Sequence, residues 1–239
     1  MIRFYCPDIE ETPVMPEVES GHCVRVLRHQ PGDRFEVVDG KGHIYKVVLV
    51  DAHPKRAMVE IEAKAEVEKY WHGRFVLAVA PTKNMDRMEW LVEKATEIGL
   101  DAFVPLLCRN SERRDIKRER LEKTAVSAMK QSLKATVPEI GDMMPFGAFI
   151  EKYRSYARKY VAYCTDDGVR RLLSRLCMID NGDDTVVLIG PEGDFTPEEI
   201  SKAFEAGFRP VSLGDARLRT ETAALTALET LHITDQLRN

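Results

Sequence analysis

The chain reads as an α/β protein built on a mostly parallel sheet, preceded by a smaller all-β module. Three observations carry that reading. From residue 74 onward, short apolar runs alternate with helical patterns, the grammar of strand–helix–strand units. Before residue 70, period-two strands are divided by tight turns. Late in the chain, two strands run into glycine-bearing corners that open into helices, and open α/β sheets bind ligands at strand carboxyl ends.

The first module covers residues 1–70. Residues 33–38 (DRFEVV) form a strand, Asp39-Gly40-Lys41-Gly42 a hairpin turn, and 44–50 the returning strand; 58–63 alternates again. Short strands with tight turns predict a small barrel. Residues 22–29 (HCVRVLRH) read as a short helix that gathers Arg25, Arg28 and His29. Two readings stay open for it: a solvated basic face, or a phosphate-contacting patch joined by Lys41, Lys46, Lys55 and Arg56. Residues 66–73 read as a link.

The second module opens with an uninterrupted apolar strand at 75–80 (FVLAVA). A helix at 86–98 carries Met88, Leu91, Val92, Ala95 and Ile98 on one face and ends at Gly99. A strand at 102–106 and a helix at 117–133 follow, then strands at 160–164, 186–189 and 210–213. Lys83, Arg87, Lys94, Arg113 and Arg114 are solvated charges or part of an RNA track.

The strand at 186–189 meets Gly190-Pro191-Glu192-Gly193, which lets the backbone turn sharply and leaves amides bare. Thr196, Pro197 and Glu199 then spell a capping box with proline in the first helical position. The strand at 210–213 meets Gly214, and a helix with Ala224, Ala227, Leu228 and Leu231 on one face follows the charged segment 215–219. Either corner alone is an ordinary strand-to-helix connection; the pair points to a ligand held by main chain.

Other chemistries lack their residues. There is no G-x-G-x-x-G after the first α/β strand, no P-loop, no G-x-S-x-G elbow and no HExxH. Five scattered cysteines without CxxC spacing argue for reduced thiols and against a zinc site. A net charge of −4 confines any nucleic-acid surface to a local patch. No apolar run approaches the roughly 20 residues that span a bilayer, and the first residues lack a signal-peptide core. A cytoplasmic protein is expected.

LIGPEGDFTPEEI followed by SLGDARLRTETAALTAL resembles the two signature segments of the RsmE family, SPOUT-class methyltransferases of 16S rRNA. RVLRHQPGDRFEVVDGKG, KNMDRMEWLVEKATEIGL and QSLKATVPEI resemble further family segments in the same order, so the resemblance covers nearly the whole chain. Two positions depart from the pattern. Asp194 stands where the usual GPEGG has its last glycine, and Ala216 where the usual LGxRILRxETA has its first arginine, displaced here to Arg217.

The resemblance implies a PUA-like β-barrel that binds RNA at 1–70, and a SPOUT domain at 74–239 with a parallel sheet and a C-terminal trefoil knot. It implies S-adenosyl-L-methionine as cofactor, a uracil N3 in 16S rRNA as acceptor, a homodimer and no metal. It points to Leu188, Ile189, Gly190, Pro191, Glu192, Gly193, Leu213, Gly214, Leu218, Arg219 and Thr222 for the cofactor. Arg219 and Glu221 match the catalytic segment: Arg219 to stabilise the target base, and Glu221 as the base or as a first-turn acid favoured by the helix dipole. Arg3, Arg25, Arg28, Lys83, Arg87, Arg113 and Arg114 are the RNA candidates. A SPOUT enzyme with another RNA target, and a non-catalytic RNA-binding assembly factor, are the alternatives.

Overall fold

A computed structural model describes residues 2–164 and 168–238. They fall into two compact units: Met1–Tyr70 with Val126–Val137, and Trp71–Ala125 with Pro138–Asn239.

The first unit contains β1 (Arg3–Tyr5), α1 (Glu17–Gly21), β2 (Arg34–Val38), β3 (His43–Asp51) and β4 (Met58–Glu66). The four strands pair in sequence order, β1 parallel to β2 and the others antiparallel. Period-two alternation sends Val37, Tyr45, Val47, Leu49 and Val59 inward, onto Phe4, Ile9 and Met15. Among the described residues the ladder runs from β1 to β4, an isolated antiparallel bridge joins Val14 to Met58 on β4, and two register irregularities interrupt β3 against β4. The expected helix at 22–29 is instead α1 running into a single π turn, His22–Val26.

The turn after β2 is held by Asp39. Its carboxylate accepts the amides of Lys41 (2.7 Å) and His43 (3.1 Å) and the hydroxyl of Tyr45 (3.2 Å). Burial pushes the Asp39 carboxyl up, but the amide bonds from Lys41 and His43 and the contact with His43 Nδ1 outweigh it, and the group sits below the usual carboxylate range.

The second unit runs β5 (Phe75–Val79), α2 (Met85–Ile98), β6 (Ala102–Leu107), the first part of α3 (Arg118–Gln131), whose residues from 126 onward belong to the first unit, β7 (Glu139–Ile140), β8 (Met144–Pro145), α4 (Phe146–Lys152), β9 (Arg158–Ala162), β10 (Arg171–Leu172), α5 (Leu173–Ile179), β11 (Thr185–Ile189), α6 (Pro197–Glu205), β12 (Arg209–Ser212) and α7 (Thr220–Arg238). All of its strand pairings are parallel, in the order β10-β12-β9-β11-β5-β6-β7, with β8 also on β6. The sheet is covered on both faces, so β5 and β11 read as unbroken apolar runs. Val186, Leu188, Val76 and Ala78 pack on one side with Phe149, Phe195 and Ala203. On α7, Ala224, Ala227, Leu228 and Leu231 are fully buried.

Two consequences position the site. Every strand of a parallel sheet ends on the same edge, so the loops after β5, β6, β9, β11 and β12 gather there. β9 lies between β11 and β12, so the two corners are not on neighbouring strands. Among the described residues, no helix is long and apolar enough to cross a membrane.

Candidate active site

The corner after β11 is bonded from several directions. Gly190 is buried, and a Cβ there would lie 3.0 Å from the Phe195 ring. Gly193 would meet Asn110 Cβ at 3.3 Å. The Asn110 side-chain amide donates to the carbonyls of Gly193 (3.1 Å) and Asp194 (3.0 Å), tying the loop after β6 to the corner. Glu199 does the same from α6: one oxygen closes the capping box on the Thr196 amide (2.9 Å), and the other accepts the Arg109 amide (2.9 Å).

Asp194 replaces the family's glycine yet keeps a left-handed backbone, with φ at 60°. Aspartate tolerates that region better than most residues because its side chain bonds locally. Here it accepts the Phe195 amide on Oδ1 (2.9 Å) and the Cys164 amide, just past β9, on Oδ2 (2.8 Å). The departure from the pattern has thus become a tether. Cys164 is the exposed one among the five cysteines. Partial burial pushes its thiol up and the Asp194 charge adds to that, against Arg170 and Arg217. Cys108, beneath the same edge, is pushed up by burial and by Glu199.

The corner after β12 has few bonds. Gly214 has φ at 113°, which favours glycine, and a Cβ there would meet nothing within 4 Å. Its amide donates to Ser212 Oγ at 3.2 Å. Residues 214–217 and Arg219 are exposed, and Leu213 and Leu218 are half-buried.

The corners meet where α7 begins. Thr220 Oγ1 donates to the Gly190 carbonyl at 3.4 Å. Glu221, one residue on, is buried, and its Oε2 has no hydrogen-bond partner among the described residues. Its Oε1 lies 3.7 Å from Arg87 Nε, and Arg87 Nη1 lies 3.6 Å from Glu192 Oε1 on the first corner. This edge therefore offers main-chain groups at two corners and a carboxylate with an unused buried oxygen. Thr222 is exposed on the first turn of α7.

The other residues singled out from sequence divide by what already holds them. Leu188 and Ile189 lie inside the ladder, flanked by β5 and β9, so their main chain is taken up by the sheet. Pro191 is buried and Glu192 and Gly193 are exposed. In the first unit, Arg3 is committed to Glu36 (2.9 Å) and to the Leu133 carbonyl, while Arg25 and Arg28 are exposed, Arg28 with φ at 60°. In the second, Arg113 spends its guanidinium on the carbonyls of Thr82 (3.3 Å) and Lys83 (2.7 Å), and Lys83 and Arg114 are exposed. Arg87 faces acids. Sequence reasoning missed Asn110, Thr220 and the second bond of Glu199. Their partners lie 30 to 90 residues away, and no local pattern announces them.

Residues 70–232 match the family model of the RNA methyltransferase domain, and residues 19–62 that of the RNA methyltransferase PUA domain. The chain belongs to the RsmE family of RNA methyltransferases. A relative from Synechocystis sp., ribosomal RNA small subunit methyltransferase E, is 32% identical over 92% of this chain and 72% of its own length. The crystal structure of a probable rRNA-methyltransferase from Porphyromonas gingivalis superposes with a TM-score of 0.92 at 44% identity, covering 100% of both chains. A ribosomal RNA small subunit methyltransferase E from Neisseria gonorrhoeae, bound to S-adenosyl methionine, superposes at 0.84 with 28% identity, covering 98% of this chain and 97% of its own. The RsmE architecture, an α/β parallel sheet with a PUA-like N-terminal module, is that of this chain.

Proposed function

We propose that this chain transfers a methyl group from S-adenosyl-L-methionine to N3 of a uridine in the 16S rRNA of the small ribosomal subunit. The observation that carries the reading is the meeting of the two corners, through Thr220 and the Gly190 carbonyl. The residues fit the cofactor on two counts. Gly214 leaves open space where another residue would put a side chain, and Glu221 keeps a buried acceptor without a donor.

In this reading, main-chain groups of Gly190, Pro191, Glu192, Gly193, Leu213 and Gly214 hold the adenine and ribose. Leu218, Arg219 and Thr222 close the other side, and Leu188 and Ile189 fix the strand beneath. Bound there, the cofactor supplies an electrophilic methyl carbon. The uracil nitrogen carries a proton at neutral pH, and Glu221 accepts it. Arg219 stabilises the negative charge that spreads to the uracil carbonyl oxygens. Both residues are in the first turn of α7 or just before it, so one helix end carries both roles.

RNA is engaged by residues 1–70 through Arg25 and Arg28, with Arg3 bracing that surface, and by Lys83 and Arg114 of the catalytic domain at 74–239, with Arg113 bracing theirs. The C-terminal segment forms a trefoil knot. Supporting this, β9 lies between β12 and β11, and Thr220, in the segment after β12, bonds the Gly190 carbonyl at the end of β11. Two copies form a cytoplasmic homodimer; the exposed apolar Ile233 and Leu237 on α7 support the pairing.

Mapping methylated uridines in 16S rRNA from cells with and without the gene tests the reading. One N3-methyluridine should vanish without the gene and return with it; unchanged maps would overturn the assignment. Glu221→Gln should lower methyl transfer by 10²–10⁴-fold, the usual range for a general base. A full rate in the variant removes Glu221 from the proton's path.

A further inference from the structure

Arg87 occupies a poor place for a cation. It lies in the first turn of α2, two residues after Met85, where the helix dipole disfavours positive charge. What it gains there is two carboxylates from outside its own helix. Its Nε faces Glu221 at 3.7 Å and its Nη1 faces Glu192 at 3.6 Å.

The two acids belong to different corners and differ in setting. The Glu221 side chain is 9% exposed, that of Glu192 49%. A carboxylate stripped of water is costly unless a cation faces it. Among the described residues, Arg87 is the cation within ion-pair distance of Glu221. The acids of α2 itself are engaged elsewhere: Asp86 and Glu89 with Arg120, Glu93 and Glu97 with Lys94. β5 and β11, which pack on α7, carry no charged residue. The Arg87 guanidinium is therefore divided between the corners and nothing on its own helix competes for it. A planar guanidinium can meet two carboxylates along different edges, which a lysine ammonium on its single tip does less well.

We propose that Arg87 is a positioning residue that couples the two corners, holding Glu192 and Glu221 on one guanidinium and so setting the gap that the cofactor enters. This rests on the cofactor reading above, and it moves Arg87 from the RNA surface to the cofactor site.

The test is a double-mutant cycle on cofactor affinity, measured by calorimetry with S-adenosylmethionine on the full chain. The proteins are the parent, Arg87→Met, Glu192→Gln, the double variant and Arg87→Lys. Arg87→Met should weaken binding roughly fivefold, the equivalent of one ion pair at the upper end of the usual range. The double variant should bind no more weakly than Arg87→Met, and Arg87→Lys should fall between it and the parent. The KM for RNA at saturating cofactor should not move. Additive losses would contradict the coupling. Unchanged cofactor affinity with a raised KM for RNA would return Arg87 to the RNA surface. Should Arg87→Met fail to fold, the same cycle built on Arg87→Lys decides. If the parent binds no S-adenosylmethionine, the cofactor reading falls on its own. The coupling is then read from the thermal midpoints of the same proteins, where additive shifts contradict it and non-additive shifts sustain it.

Discussion

The two corners use glycine for opposite reasons. Gly190 is crowded: its place beside the Phe195 ring admits no side chain without a shift. Gly214 is uncrowded but has a backbone, φ 113°, that other residues rarely adopt. Around Gly190, bonds arrive from Asn110, Asp194, Glu199 and Thr220. Around Gly214 there is Ser212, and the amides of residues 215–219 have no acceptor among the described residues. One corner is built in advance by the fold; the other, in the proposed reading, is left for a ligand to complete. A binding loop needs few internal bonds, and the low-stability end of a structure is where such loops are found.

The largest effect should come from filling the crowded corner. Gly190→Val should destabilise the protein by about 3 kcal/mol through overpacking against Phe195, read as a lower denaturant midpoint. Gly214→Ala should cost about 1 kcal/mol, the strain of one residue in an unfavourable backbone region, and should show its effect mainly as weaker cofactor binding. Equal stability losses at both positions would erase the contrast.

Asp194 sharpens it next. Asp194→Ala keeps the left-handed backbone and loses both amide acceptors, so a loss of about 2 kcal/mol is expected. Asp194→Gly loses the same bonds but relieves the backbone, and should cost about 1 kcal/mol less than alanine does. Thermal unfolding of the two variants side by side measures this. An alanine variant as stable as the glycine variant would mean that the conformation carries no strain.

The smallest effect is a reporter. Because burial and Asp194 push the Cys164 thiol up, its thiolate fraction at pH 8 is below that of a free cysteine. Iodoacetamide should therefore react with it more slowly than with free cysteine, and the rate should keep climbing above pH 9. Asp194→Asn removes the neighbouring charge and should speed the reaction at pH 8. A pH profile identical to the parent's would show that Asp194 does not act on the thiol.

Much of this was legible in the sequence where the cause is local. Thr196, Pro197 and Glu199 announce the start of α6, and the capping box is there. The apolar run before Gly190 announces β11, buried on both faces. What escaped was set by distant partners or by short elements. α4 and α5 are seven residues each, too short for a helical period to stand out. β9 begins at Arg158, two residues before the expected strand, because that arginine is fully buried, which no hydropathy reading anticipates. The strand order that separates the corners and the ion pairs of Arg87 both depend on tertiary placement.

Amide hydrogen exchange across the two corners, with and without S-adenosylmethionine, tests the central claim most directly. Without it, Phe195 and Thr196 should exchange slowly and residues 215–219 fast; with it, residues 214–219 should become protected while Phe195 and Thr196 change little. Fast exchange at 214–219 in the presence of saturating S-adenosylmethionine would contradict the account.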